Sequence, residues 1–170
     1  MRRALDRLYL ACAILAGIAL VAVFVLIMLQ VGGAPFGYTP RAADEFAGYA
    51  MAASAFLAFP YAFRRGDHIR VVLLVDRLKG SARRVSDILV LLITTYLVGY
   101  FAWYSVRLAW QSWVFNELSQ GLVPFPMWAP QATMALGNVV FLIAVLDTLV
   151  EVLRGGRIVD GDSADSTADR

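Results

Sequence analysis

The residues with the clearest chemical potential lie in Phe63–Val71, FRRGDHIRV, directly after a long apolar run. His68 is the only histidine of the chain. It could act as a general base or, with Asp67 and Asp76, as a metal ligand. One histidine and two carboxylates are few ligands for a metal ion, and no HxxxH spacing or cysteine partner accompanies them. We therefore expect no metal site and no cofactor.

Catalysis by His68 is the other chemical hypothesis for this stretch. A nucleophile–histidine–acid arrangement needs a nucleophile in a defined context, and neither Ser54 nor Ser81 lies in a recognisable motif. A membrane enzyme or redox subunit would need histidines, cysteines or carboxylates clustered at one depth, which the sequence does not offer. We therefore predict that the chain is not an enzyme and that His68 lies at a surface or an interface.

The composition places the chain among membrane proteins. Its 170 residues fit one domain, yet 60% are hydrophobic and 16% are charged. A soluble domain has about 45–50% apolar and about 25% charged residues. The apolar residues form blocks, and blocks of roughly 20 residues are typical of membrane-spanning helices. The single cysteine, Cys12, lies in the first block, which excludes an internal disulfide and a cysteine-based metal site.

We predict an all-α integral membrane protein with four spans in one membrane domain, residues 1–153. The spans are expected at about residues 8–31, 44–63, 87–113 and 127–153. Residues 154–170 are rich in Gly, Asp and Ser, and are expected to form a disordered tail. The first block is too long for a signal-peptide core of about 7–15 residues, and no small-residue cleavage site follows it. It is therefore interpreted as a retained span.

The basic residues predict the orientation of the chain. Of the 15 lysines and arginines, all but Arg41 and Arg107 lie before the first span, between the second and third spans, or after the fourth. Cytoplasmic loops carry an excess of Lys and Arg, so we expect both termini and the loop between spans two and three to be cytoplasmic. Phe63–Val71 then lies where span two leaves the membrane.

The stretch Phe63–Val71 can be interpreted in two ways. The candidate residues are Arg64, Arg65, Gly66, His68, Ile69 and Arg70. They could anchor the chain to anionic lipid head groups, or they could dock on a partner subunit. Gly and His beside the arginines favour docking, because anchoring requires only charge. Apolar residues between Val71 and Leu78 then recur on one helical face, which predicts a short amphipathic cytoplasmic segment between spans two and three.

The spans themselves offer small residues and few polar groups. Span two carries Ala50, Ser54 and Ala58 at a spacing of four, a ridge where another helix could approach closely. Asn138 lies near the middle of span four. Threonine hydroxyls in span three can bond to their own helix. A transport path needs polar residues or broken helices near the bilayer midplane, so the sequence does not predict a pathway of its own.

The motif RRGDHIRV resembles the cytoplasmic motif of the small permease subunit, DctQ type, of tripartite ATP-independent periplasmic (TRAP) transporters. The matching residues are Arg65, Gly66, His68, Ile69 and Val71. Val72 stands where the family usually has Asp. Asp44 and Glu45 at the start of span two, and Pro126 and Trp128 at the start of span four, agree with the family pattern. The resemblance covers roughly residues 8–153.

The resemblance implies an accessory role in transport. Such a subunit pairs with a large permease subunit that carries substrate and sodium, while a periplasmic solute-binding protein delivers the solute, often an organic acid. It also implies a multi-pass protein of the bacterial inner membrane that scaffolds its partner. The expected partners include membrane lipids and exclude nucleic acid. The alternatives are a small self-assembling channel or exporter, and a non-catalytic anchor subunit of a membrane enzyme.

Overall fold

A computed structural model describes residues 2–37, 42–65 and 81–154. The four helices are α1 Arg2–Gly33, α2 Ala43–Arg65, α3 Ser81–Val114 and α4 Trp128–Leu153. Each is long and apolar enough to cross a membrane, and these ranges contain no strand, so the predicted all-α fold with four spans is confirmed. The predicted amphipathic segment, within residues 66–80, and the predicted tail beyond Arg154 lie outside the described residues.

The first helix ends in a tight turn that requires glycine. A short 3₁₀ helix, Ala34–Phe36, follows α1 directly. Gly37 closes it with φ of 71°, and its N–H donates to the carbonyl of Ala34 at 3.1 Å. This left-handed conformation is one that glycine adopts at no steric cost. The chain therefore turns away from α1 at this glycine.

The helices pack in an order that differs from their order along the chain. α1 packs against α2, α2 against α4, and α4 against α3. α1 and α2 run in opposite directions, because Arg64 near the end of α2 contacts Asp6 near the start of α1. α2 and α4 run in the same direction, because Arg64 also contacts Asp147 near the end of α4. We call this the Arg64 end of the bundle. The opposite end, where Tyr49 of α2 lies, is the Tyr49 end.

Small residues make up about half of the main buried cluster between the helices. The main buried cluster contains Tyr9, Cys12, Ala16, Leu57, Val140 and Ala144. Large aliphatic side chains instead lie outside, as Ile18 of α1 does with 60% of its surface exposed. Within a bilayer, helices associate mainly through close van der Waals contact at small residues, because lipid tails are as apolar as leucine. The arrangement of small residues inside and large residues outside fits that environment.

α4 approaches the backbone of α2 closely at Gly137. A Cβ atom built at this position would lie 2.6 Å from the backbone carbonyl oxygen of Phe56. Only glycine, which has no Cβ atom, allows the backbones of α2 and α4 to come this close. α4 is also the most enclosed helix, since 39% of its most apolar stretch is buried, against 11% in α1. α4 therefore forms the centre of the bundle together with α2.

Candidate functional site

Charged side chains from three helices converge at the Arg64 end. The guanidinium of Arg64 lies 3.3 Å from Oδ2 of Asp147 and 3.7 Å from Oε2 of Glu151. These two carboxylates lie four residues apart on α4, so they share one face of that helix. A third carboxylate, Asp6 of α1, is 4.0 Å away. Arg64 therefore links α2 to α4, and more weakly to α1.

Tyr9 completes this cluster from the side of α1. The Cζ atom of Arg64 lies 5.9 Å from the centre of the Tyr9 ring, a cation–π distance. Tyr9 is 2% exposed, and its hydroxyl has no hydrogen-bond partner among the described residues. The side chains of Arg64, Asp147 and Glu151 are between 22% and 28% exposed. Their attraction is therefore less screened by solvent than that of a surface pair.

The Arg64 end is where the sequence predicted an anchoring or docking motif. The structure places Arg64 against the chain's own helices, and Arg65 is the last residue of α2. Gly66, His68, Ile69 and Arg70 lie outside the described residues, so their docking or anchoring role stays a prediction.

The pairing of Arg64 with α4 was missed by the sequence analysis. Arg64 is separated from Asp147 by about half of the chain, and sequence spacing does not show which helices are neighbours. The sequence did contain one indication of this pairing. Asp147 and Glu151 stand one turn apart on a helix that is otherwise apolar over most of its length. Two carboxylates on one face near the end of a span indicate a basic partner at the same depth.

The Tyr49 end holds a second cluster, of mixed polar and aromatic character. The hydroxyl of Tyr49 donates to Oε1 of Glu45 at 2.6 Å and contacts Sδ of Met127 at 3.6 Å. Phe46 packs edge-on against Phe125, with 5.3 Å between ring centres. The start of α2 is thereby attached to the chain just before α4. The acidic opening of span two and the segment around Pro126, both part of the family resemblance, meet here.

The connection between α3 and α4 is folded against this cluster. Ser112 is buried and its hydroxyl donates to Oε2 of Glu117 at 2.6 Å. Backbone bonds run from Ser119 N to Phe125 O at 2.7 Å and from Met127 N to Glu117 O at 3.0 Å. A Cβ atom at Gly121 would overlap the carboxylate of Glu45. These contacts give the connection a defined shape.

Three polar side chains of the membrane-spanning part, Asn138, Ser105 and Thr95, have hydrogen-bond partners within the protein. Nδ2 of Asn138 donates to the hydroxyl oxygen of Ser105 at 3.1 Å, and that hydroxyl donates to the carbonyl of Phe101 at 2.8 Å. Thr95 donates to the carbonyl of Leu91 in its own helix. Among the described residues, no group of three or more His, Cys, Asp or Glu side chains could hold a metal ion.

The predicted ridge of small residues lies at the contact with α1. Ser54 and Ala58 line a groove of about 280 Å³ together with small residues of α1, and Ala58 packs against the main buried cluster. Ala50 is half-buried. The ridge thus contacts another helix of the same chain along at least part of its length.

The fold and these clusters define a multi-pass, all-α membrane protein whose charged groups meet at the ends of the helices. The family model described as tripartite ATP-independent periplasmic transporters, DctQ component, matches residues 23–155, and the chain belongs to this family. It is thus the small membrane component of a TRAP transporter, which confirms the resemblance found in the sequence. A comparison with curated proteins gave no match.

Proposed function

We propose that the chain is a non-catalytic subunit that scaffolds the large permease subunit of a TRAP transporter. The transporter would take up an organic acid, delivered by a periplasmic solute-binding protein, in a sodium-coupled reaction. The chain would lie in the bacterial inner membrane with both termini in the cytoplasm. Membership of the DctQ family supports the transport role, and the distribution of basic residues supports the orientation.

One observation carries the scaffold role. Near the middle of the bundle Asn138 is bonded to Ser105, and at the Arg64 end Arg64 is paired with Asp147, so these polar groups already have partners within the chain. A subunit that carried substrate or sodium by itself would need polar groups near the bilayer midplane that are free to bind them. Small residues that pack closely and large apolar residues outside suit a rigid body that supports a partner in the membrane.

Co-purification tests this proposal. The chain, with an affinity tag, is expressed together with a large TRAP permease subunit from the same organism, extracted in mild detergent and purified by the tag. We expect the two subunits to elute together from a sizing column at a fixed ratio. An unrelated four-span membrane protein carrying the same tag is the control. A chain that elutes alone, while the large subunit is folded and present in the extract, contradicts the scaffold role.

A self-assembling channel is the alternative that the same preparation distinguishes. A channel would elute as a multimer of this chain and would make liposomes permeable without a second protein. The scaffold proposal expects sealed liposomes when the chain is reconstituted alone. Leakage of a small organic anion from such liposomes, above the level of protein-free ones, would favour the channel.

A further inference from the structure

The outer face of α3 carries a continuous row of aromatic and cationic side chains, which we call the α3 stripe. Its members are Tyr96, Tyr100, Trp103, Arg107 and Trp110. Steps of four and three residues place them on one side of the helix. The opposite side packs on α4 through buried residues such as Ala102 and Ser105. All five stripe residues are exposed, the aromatic ones by 57–72%.

The stripe differs in chemistry from the other large exposed face of the bundle. The outer face of α1 consists of aliphatic residues and phenylalanine, for example Ile14, Ile18 and Phe24. Those side chains match lipid tails. The α3 stripe instead presents hydroxyls, indole N–H groups and a guanidinium. The hydroxyls of Tyr100 and Tyr104 are hydrogen-bonded to each other, whereas the indole N–H groups and the guanidinium each need a hydrogen-bond acceptor when water is absent.

The stripe is too long to be an interfacial aromatic belt. Trp and Tyr favour the boundary between membrane and water, a layer about 5–8 Å thick on each side of the hydrocarbon core. From Tyr96 to Trp110 the helix rises about 21 Å at about 1.5 Å per residue. A tilt of about 40° would still leave about 16 Å along the membrane normal. Part of the stripe therefore lies at a depth where lipid offers no acceptor.

Among the residues of the α3 stripe, Arg107 has the strongest need for a partner. No carboxylate of the described residues pairs with it, and its guanidinium carries five donors. Charged side chains within spans almost always face protein or a water-filled cavity. Next to it, Trp110 and Trp113 line an apolar groove of about 330 Å³ between α3 and α4, which a partner side chain could fill.

We propose that the α3 stripe is the surface on which the membrane helices of the large permease subunit dock. The partner helix presents an apolar face with at least one acceptor, a carboxylate or a free backbone carbonyl, opposite Arg107. The outer face of α1 remains in contact with lipid. This inference rests on the proposed function and adds to it which edge of the bundle binds.

Photo-crosslinking within the purified complex tests the docking surface. Benzoylphenylalanine replaces Tyr96, Tyr100 or Trp103 on α3 and, as matched exposed controls, Ile14 or Ile18 on α1. We expect the α3 variants to give a covalent product with the mass of the chain plus the large subunit, and the α1 variants to give none. In parallel, Arg107→Leu is expected to weaken binding of the large subunit about tenfold, the effect of losing one charged hydrogen bond, and so to lower its recovery. Phe24→Leu should leave it unchanged.

The other possible results of the crosslinking experiment each contradict the proposed docking surface. Crosslinks from α1 and none from α3 would overturn the inference and leave the scaffold role intact. Products with the mass of two copies of this chain would assign the stripe to self-association, and products with lipid alone would assign it to the bilayer. Both results contradict the inference. If the large subunit is missing before irradiation, the proposed function fails, and the inference fails with it.

Discussion

Arg64 shows how a single side chain can hold the helices of this bundle together. Its planar guanidinium reaches Asp147 and Glu151 on α4 at 3.3 and 3.7 Å. Nη1 makes both of these contacts, while Nη2 lies 4.0 Å from Asp6 of α1. A lysine ammonium has a single nitrogen and cannot contact both sides in this way. Because all three side chains are largely enclosed, the pairing is worth more than a surface salt bridge, and its loss removes the positive charge beside Asp147 and Glu151.

Substitution of Arg64 is therefore expected to destabilise the protein. Arg64→Ala should lower the free energy of unfolding by about 1–3 kcal/mol, and Arg64→Lys by less, since the charge remains. Thermal unfolding in detergent measures the change. Arg154→Lys, at an exposed position after α4, is the matched control and should have no effect. Equal midpoints for Arg64→Ala and the parent would show that the network does not hold the helices together.

The motif residues beyond Arg64 have a different expected effect. If Arg65, Gly66 and His68 dock on a partner, Arg65→Lys, Gly66→Ala and His68→Ala should reduce recovery of the complex while the thermal midpoint of the isolated chain stays that of the parent. Lys lacks the fork of Arg, and a turn with positive φ tolerates Gly better than Ala. If all three variants bind the partner like the parent, the stretch is only a membrane anchor.

At the scale of the helices, the crossing of α2 and α4 depends on Gly137. Gly137→Ala introduces a methyl group 2.6 Å from a backbone oxygen, which the helices can accommodate only by moving apart. We expect a loss of about 1–3 kcal/mol of stability, as for other overpacked contacts. Gly99→Ala is the control, because its Cβ would meet a leucine methyl at an ordinary 3.7 Å. It should be neutral or slightly stabilising. A Gly137→Ala protein as stable as Gly99→Ala would contradict the observed crossing.

The helices were predictable from the sequence, but their arrangement was not. Length and hydropathy identify α1 and α4 directly, because a run of about 20 apolar residues has few other structures available. The sequence does not show clearly which face of α1 packs against other helices, since its packed and lipid-facing sides are both apolar. Only residue size distinguishes the two sides: the packed side has small residues such as Ala16, and the lipid-facing side has large ones such as Ile18. The contact of Tyr49 with Met127 joins residues far apart in sequence, and no local pattern predicts it.

At the scale of the whole molecule, the predicted orientation can be measured with single cysteines. Phe36 is 88% exposed and Gln120 is exposed in the connection between α3 and α4. In a Cys12→Ala background, Phe36→Cys and Gln120→Cys should react with a membrane-impermeant thiol reagent added to intact cells. Ser81→Cys should react only after the cells are opened. Labelling of Ser81→Cys from outside would reverse the topology and place the Arg64 end in the periplasm.

The central claim is that this chain supports transport but does not carry it out. Uptake of a radiolabelled organic acid, chosen because the cognate binding protein retains it, is measured in proteoliposomes under an inward sodium gradient. The vesicles hold this chain alone, the large subunit alone, or both, each with the binding protein outside. We predict sodium-dependent uptake only when both subunits are present. Uptake by this chain alone, at a rate equal to that of the pair, would contradict the account.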